Sequence, residues 1–146
     1  MTILLEMSYT IIMEKLFIDK LAFILIKDRK ALMARARGKD IWLQPGGKRE
    51  PGETDEQALI REVKEEFTVD LKPETIVYYG TFEAQAHGKP EGTIVKITCY
   101  TADFKGELKP AAEIEELGWF SLDDKDRTSV TGRLILNDLK DKGLID

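Results

Sequence analysis

GKREPGETDEQALIREVKEEFTV, residues 47–69, is the stretch whose reading decides both the fold and the chemistry. Gly46 precedes it, making a Gly46-Gly47 pair, and Pro51-Gly52 marks a turn ahead of a helix start. Thr54 or Asp55 can cap that helix, which should end near Phe67. Seven acidic residues fall between Glu50 and Glu66. A helix turns about 100° per residue, so Glu66 lies about 40° to one side of Glu62 and Glu65 about 60° to the other. Leu59, Ile60, Val63 and Phe67 take a different arc, with Leu59 nearest its boundary, and can face a sheet.

Like charges three and four residues apart cost a helix roughly a few tenths of a kcal/mol per pair. Arg61 can pair with Glu65, but one cation does not neutralise three carboxylates. A hard divalent ion helps, because Mg²⁺ or Mn²⁺ prefers oxygen ligands and often combines carboxylates with substrate phosphates. A solvated acidic face is the ordinary reading of such a charge run. The glycine turn beside it moves the reading towards a metal and a polyphosphate, since glycine permits close ligand approach.

At these residues the segment resembles the signature of the Nudix hydrolase family. Gly47, Glu53, Arg61, Glu62, Val63, Glu65, Glu66 and Val69 occupy its defining positions, and Thr68 stands where the family usually has glycine. That departure bears on the helix C-cap, not on the carboxylates. The resemblance implies an α/β/α sandwich with a mixed central sheet and a catalytic helix. It implies hydrolysis of a nucleoside diphosphate linked to another group, with Mg²⁺ as cofactor and Mn²⁺ as a substitute. It further implies metal ligands at Glu62, Glu65 and Glu66, and an Arg61 that orients the glutamates. Glu53 then fixes loop and helix or contacts metal, while Gly46 and Gly47 shape the phosphate-facing turn. For the catalytic base, Glu66 and Glu113 are the candidates, with Glu115 and Glu116 as near alternatives.

The rest of the chain is consistent with one domain spanning residues 1–146. A net charge of -5 argues against a nucleic-acid polymer as partner, while bound cations would still admit a small anionic nucleotide. Cys99 is the only cysteine, which excludes an internal disulfide, and its β-rich neighbours suit a small buried strand residue. Ile3-Leu4-Leu5, interrupted by Glu6, makes a poor signal peptide, and Leu21 to Ile26 is far short of a membrane span. The expected location is cytoplasmic, and a homodimer is compatible with the sequence.

Strands are expected at Leu16–Ile26, Ala31–Arg35 after a turn at Asp28-Arg29, Ile41–Leu43, Thr75–Phe82, Gly92–Ala102 and Ile114–Phe120. A loop at Ala86–Glu91 joins two antiparallel strands. A second helix is expected over Val130–Lys142, with Leu134, Ile135 and Leu139 as its apolar side and Gly143 as its stop. Two helices would then cover the two faces of a mixed sheet. Trp42 and Phe82 read as packing rather than base-stacking residues, Arg35 and Arg37 as surface cations, and His87 as a solvent-facing loop residue. The resulting expectation is a Mg²⁺-dependent nucleoside triphosphate pyrophosphohydrolase releasing a monophosphate and pyrophosphate. The alternatives are an ADP-ribose or nucleoside diphosphate sugar pyrophosphatase, and a non-catalytic nucleotide-binding regulatory module.

Overall fold

Alternating burial along the first strand sets the layers. In the computed structural model, which describes residues 17–146 together with Glu6 and Ser8, β1 runs Phe17–Ile24. The Ile3-Leu4-Leu5 segment and the Leu16 start of the expected strand lie outside the described residues. Leu21 and Phe23 enter one core and Ala22 and Ile24 the other, all four buried. A strand buried on both faces belongs inside a sheet covered on both sides.

The chain continues through β2 (Ile26–Lys27), β3 (Lys30–Ala36), β4 (Trp42–Leu43) and β5 (Gly46–Gly47) to α1 (Asp55–Phe67). Then follow β6 (Asp70–Leu71), β7 (Val77–Gln85), β8 (Ile94–Thr101), β9 (Phe104–Lys105), β10 (Ile114–Phe120) and α2 (Val130–Asp141). The mixed sheet has the order β5-β1-β8-β7, with β1 and β8 parallel and the other pairs antiparallel. A second, antiparallel sheet has the order β10-β3-β2, with β4 also on β3. The expected single strand to Ile26 is broken at Leu25, where the chain passes from the first sheet to the second. Leu25 instead accepts from the Leu32 amide at 2.8 Å. β7 reaches Gln85, beyond the expected end at Phe82, because Gln85 still pairs with Ile94.

The helices take opposite sides, giving the α/β/α sandwich. Ala58, Leu59, Val63 and Phe67 of α1 are fully buried against Leu21, Phe23, Val69 and Ile114. Burying a side chain of the Leu, Val or Phe kind contributes about 1.5–3 kcal/mol, which outweighs the repulsion on the helix's acidic face. On the far side, Ile135, Leu136 and Leu139 of α2 pack with Met33, Ile97, Cys99 and Phe120. Leu134 does not join them: it is 39% exposed, and Leu136 takes the inward position.

Local chemistry fixes the ends of α1. Thr54 is the N-cap, in a capping box with Gln57 that satisfies two backbone donors. Thr68 closes the helix in the left-handed conformation (φ 64°), donating its amide to Lys64 at 3.0 Å. The glycine-type cap survives without glycine, helped by the Thr68 hydroxyl donating to the Glu107 carbonyl. The Asp28-Arg29 turn also has positive φ at both residues and joins β2 to β3.

Candidate active site

Two glycines bring the turn of β5 against β1 and α1. A Cβ on Gly46, whose φ is +140°, would fall 2.0 Å from the Leu21 carbonyl oxygen. A Cβ on Gly47 would lie 2.5 Å from the Glu62 carboxyl carbon. No larger residue fits either position without displacing backbone or that carboxylate. The Gly46 amide donates to Glu66 Oε1 at 2.9 Å, tying the turn to the helix.

Arg61 is the organising cation. Its Nε and Nη2 donate to the two oxygens of Glu53, each at 2.8 Å, and Nη2 also reaches the Lys48 carbonyl. Nη1 donates to Glu62 Oε1 at 2.9 Å. The expected pair with Glu65 is present but longer, at 3.6 Å. The two-pronged bond to Glu53 is the stronger geometry. Arg61, with the Glu50 amide, holds the Glu53 carboxyl down at about 2. One guanidinium thus joins the loop before the helix to the carboxylates on it.

The three helix glutamates differ in environment. Glu66 is only 6% exposed, and burial pushes its carboxyl up to about 8, with Glu62, Glu113 and Glu65 adding repulsion. Burial also raises Glu62, partly countered by Arg61. Glu65 has a side chain 54% exposed, turned to Arg61 and solvent, and it does not line the cavity beside Glu62 and Glu66. The shared helix face is real in the backbone, but only two of the three carboxylates are directed inward. Among the described residues, no three Asp, Glu, His or Cys side chains form a ready-made metal centre. The donor set nevertheless fits a hard cation: oxygen ligands on two crowded carboxyls, of which Glu66 has no ion pair among the described residues, with Glu65 adjacent.

Glu113 reaches the same cavity from β10's approach. The preceding loop caps the end of α1, with the Lys109 amide donating to Phe67 O and the Ala111 amide to Glu66 O at 2.9 Å. Ala112 then turns with φ 53°, and Glu113 follows at the rim, close enough to raise both Glu62 and Glu66. Glu115 and Glu116 are elsewhere, paired with Arg35 at 3.2 and 2.6 Å. Trp42 is buried against Phe120, and Phe82 packs on the α2-side core, so neither lines the cavity. Arg37 is exposed. His87 is exposed as expected, at the cavity rim.

The cavity encloses about 970 Å³, a volume suited to a nucleotide-sized ligand. Lys20, Lys39, Lys48 and Lys89, which sequence reading had not singled out, line the same cavity. Lys20 shares the face of β1 that carries Ala22 and Ile24, so its signal was a lysine at an inward strand position. Burial and the charges of Lys48 and Lys89 lower its ammonium pKa. Ser129 and Thr131, both buried at the start of α2, complete one wall.

Comparison with known proteins gives a concordant result. The family model described as the NUDIX domain matches residues 19–135. The chain is 30% identical over 118 residues to an ADP-ribose pyrophosphatase of Methanocaldococcus jannaschii, covering 79% of this chain and 68% of that protein. It is 31% identical over 109 residues to a CTP pyrophosphohydrolase of Escherichia coli, covering 71% and 76%. Among solved structures, a MutT NUDIX hydrolase from Burkholderia pseudomallei superposes with a TM-score of 0.68 at 26% identity, covering 83% and 96%.

Proposed function

The chain belongs to the Nudix hydrolase family, and from that membership we propose a Mg²⁺-dependent nucleoside triphosphate pyrophosphohydrolase that releases a nucleoside monophosphate and pyrophosphate. One observation carries the reading. A single cavity is lined by two carboxylates, Glu66 buried and Glu62 half-buried, that call for a cation, and by lysines, three of them within electrostatic reach of one another, that call for an anion. A metal-bound polyphosphate meets both needs.

In this reading Glu62 and Glu66 hold the metal, with Glu65 joining from the same helix. When bound, the metal draws charge from phosphoryl oxygens and acidifies water. Arg61 keeps Glu62 and Glu53 in place, and the Gly46-Gly47 turn lets the phosphates approach the backbone. The Gly46 amide engages Glu66 Oε1, which leaves Oε2 as the atom to receive the water's proton. Glu113 is the second candidate for that proton, from the opposite rim. A single Cys99, buried and without a disulfide partner, supports a cytoplasmic setting. Among the described residues, no helix is long and apolar enough to cross a membrane.

The test is a screen, with added metal, of canonical and oxidised nucleoside triphosphates, ADP-ribose, dinucleoside polyphosphates and nucleotide sugars. Product masses locate the broken bond, and ¹⁸O-labelled water identifies the attacked phosphorus. A triphosphate should give the highest kcat/KM. The ADP-ribose reading is favoured by the resemblance to the Methanocaldococcus jannaschii protein. A preference for ADP-ribose of about tenfold, or about 1.4 kcal/mol, would replace the first reading with it. Saturable nucleotide binding without turnover would instead indicate a regulatory module, against which the intact Glu62, Glu65 and Glu66 stand.

A further inference from the structure

Three lysines of the cavity make no close ion pair among the described residues, although Glu66 and Glu62 attract Lys20 at longer range. Among the described residues, none of Lys20, Lys48 and Lys89 makes a side-chain hydrogen bond or an ion pair within 4.0 Å, although all three line the cavity. Surface lysines spread apart when nothing holds them, because like charges repel. These three are brought together by separate elements: β1, the residue after the glycine turn, and the loop between β7 and β8.

That loop is held in shape by one side chain. Gln85 Nε2 donates to Pro90 O at 2.9 Å and shares its hydrogens with Ala86 O and Lys89 O at 3.3 Å. Its Oε1 accepts from the Gly92 amide at 2.9 Å. The Ala86 amide donates to Thr93 O and the Thr93 amide to Pro90 O, closing the base of the loop. Lys89 is therefore presented at the rim by a braced turn, and Lys20 lies deeper on the inward face of β1.

We propose that Lys20 and Lys89, with Lys48, form an anion subsite for the terminal phosphates of the substrate, and so decide between a triphosphate and a nucleotide whose second arm is a neutral sugar. The metal-facing carboxylates serve the diphosphate linkage common to both classes. Only the triphosphate carries further charge beyond that linkage, and only the lysine wall is placed to answer it. This rests on the triphosphate reading above and assigns its selectivity to named residues. Gln85 acts as a positioning residue through Lys89.

Two measurements test it. The first compares kcat/KM for a nucleoside triphosphate and for ADP-ribose in the wild type, Lys20→Met and Lys89→Met. The second measures binding of inorganic tripolyphosphate with saturating Mg²⁺ by calorimetry. Each variant should lower the triphosphate-to-ADP-ribose ratio about tenfold, through KM, and weaken tripolyphosphate binding by a similar factor. Gln85→Ala should raise KM for the triphosphate in the same direction with kcat kept. Lys89→Met changes an exposed residue, so it remains informative if Lys20→Met disturbs the strand. Equal losses on both substrates, or tripolyphosphate affinity unchanged in both variants, would overturn the subsite. A wild type that prefers ADP-ribose, yet loses tripolyphosphate binding in both variants, would sink the triphosphate reading and leave the anion subsite standing.

Discussion

Removing the charge of Glu66 should strengthen the metal-free fold while disabling the enzyme. Its carboxyl is pushed up to about 8 from an ordinary 4.5, first by burial and then by neighbouring glutamates. The folded pKa lies above the unfolded one, so the group's contribution to stability is complete below about 4.5 and is lost as pH rises towards 8. Within that window each pH unit costs about 1.4 kcal/mol. Between pH 5 and pH 9 the sum is about 4 kcal/mol, and water relaxing into an open cavity brings it to about 2–4. Glu66→Gln keeps an acceptor for the Gly46 amide and carries no charge.

The assay is urea unfolding of wild type and Glu66→Gln in chelated buffer at pH 5 and pH 9. The variant's stability relative to wild type should rise by about 2–4 kcal/mol between them. Saturating Mg²⁺ should narrow the gap at pH 9, because an ion bound only to the folded state stabilises it. Turnover of the variant should fall at least about 100-fold at any Mg²⁺ concentration. A stability difference that stays flat from pH 5 to pH 9 would refute the buried-charge reasoning. Near-normal turnover would remove Glu66 from the proposed chemistry.

Other perturbations probe the frame around it. Glu53 is held at about 2 by Arg61, below its ordinary 4.5, so its contribution to stability is present above about 4.5 and is lost as pH falls towards 2. Arg61→Ala should flatten that acid-side dependence and lower kcat/KM about 10- to 100-fold, with higher Mg²⁺ restoring part; unchanged metal dependence and an unchanged acid profile would contradict this. Thr68→Gly should raise stability by about 1 kcal/mol in thermal melts, because relief of the left-handed backbone outweighs the exposed hydroxyl's bond to Glu107, and a lowered Tm would contradict this. The Cys99 thiol, buried and pushed up to about 12, should resist a chromogenic disulfide reagent at pH 8 until denaturant is added. Rapid labelling of the native protein would contradict that burial.

Local signals in the sequence carried the main layers. The 3.6-residue pattern of Leu59, Val63 and Phe67 identified the buried face of α1, and the Thr54-Asp55 pair its start, of which Thr54 is the cap. Ile114–Phe120 appeared as read, since its turn and apolar boundaries are local. Leu134 misled because it was read as one apolar run with Ile135, whereas the helix turn sets it about 140° from Leu139 and brings Leu136 to about 60°. The strand order was closed to local reading, as the parallel pairing of β1 with β8 joins segments more than 70 residues apart. At the site, glutamate spacing predicted a shared helix face, but Glu65 is half-exposed, 3.6 Å from Arg61 and off the cavity that Glu62 and Glu66 line. Lys20 went unnoticed because a lone lysine in a strand has no motif. Its significance arises only when Lys48 and Lys89 arrive from other elements.

The tie between Ala111 and the carbonyl of Glu66 has a bearing on how this scaffold can diversify. The loop carrying Glu113 is anchored twice on the last turn of α1, at Phe67 and Glu66, before it meets β10. Residues inserted ahead of Lys109 can bulge away while both anchors stay in place, leaving Glu113 in its position. Residues inserted after Ala111 fall between the second anchor and Glu113, whose carbonyl accepts from the Arg37 amide at 2.7 Å, so they would bulge at Ala112 while the acid stays tied to the end of β3. The loop can thus change length on either side of its helix anchors while the acid over the cavity is held from the sheet.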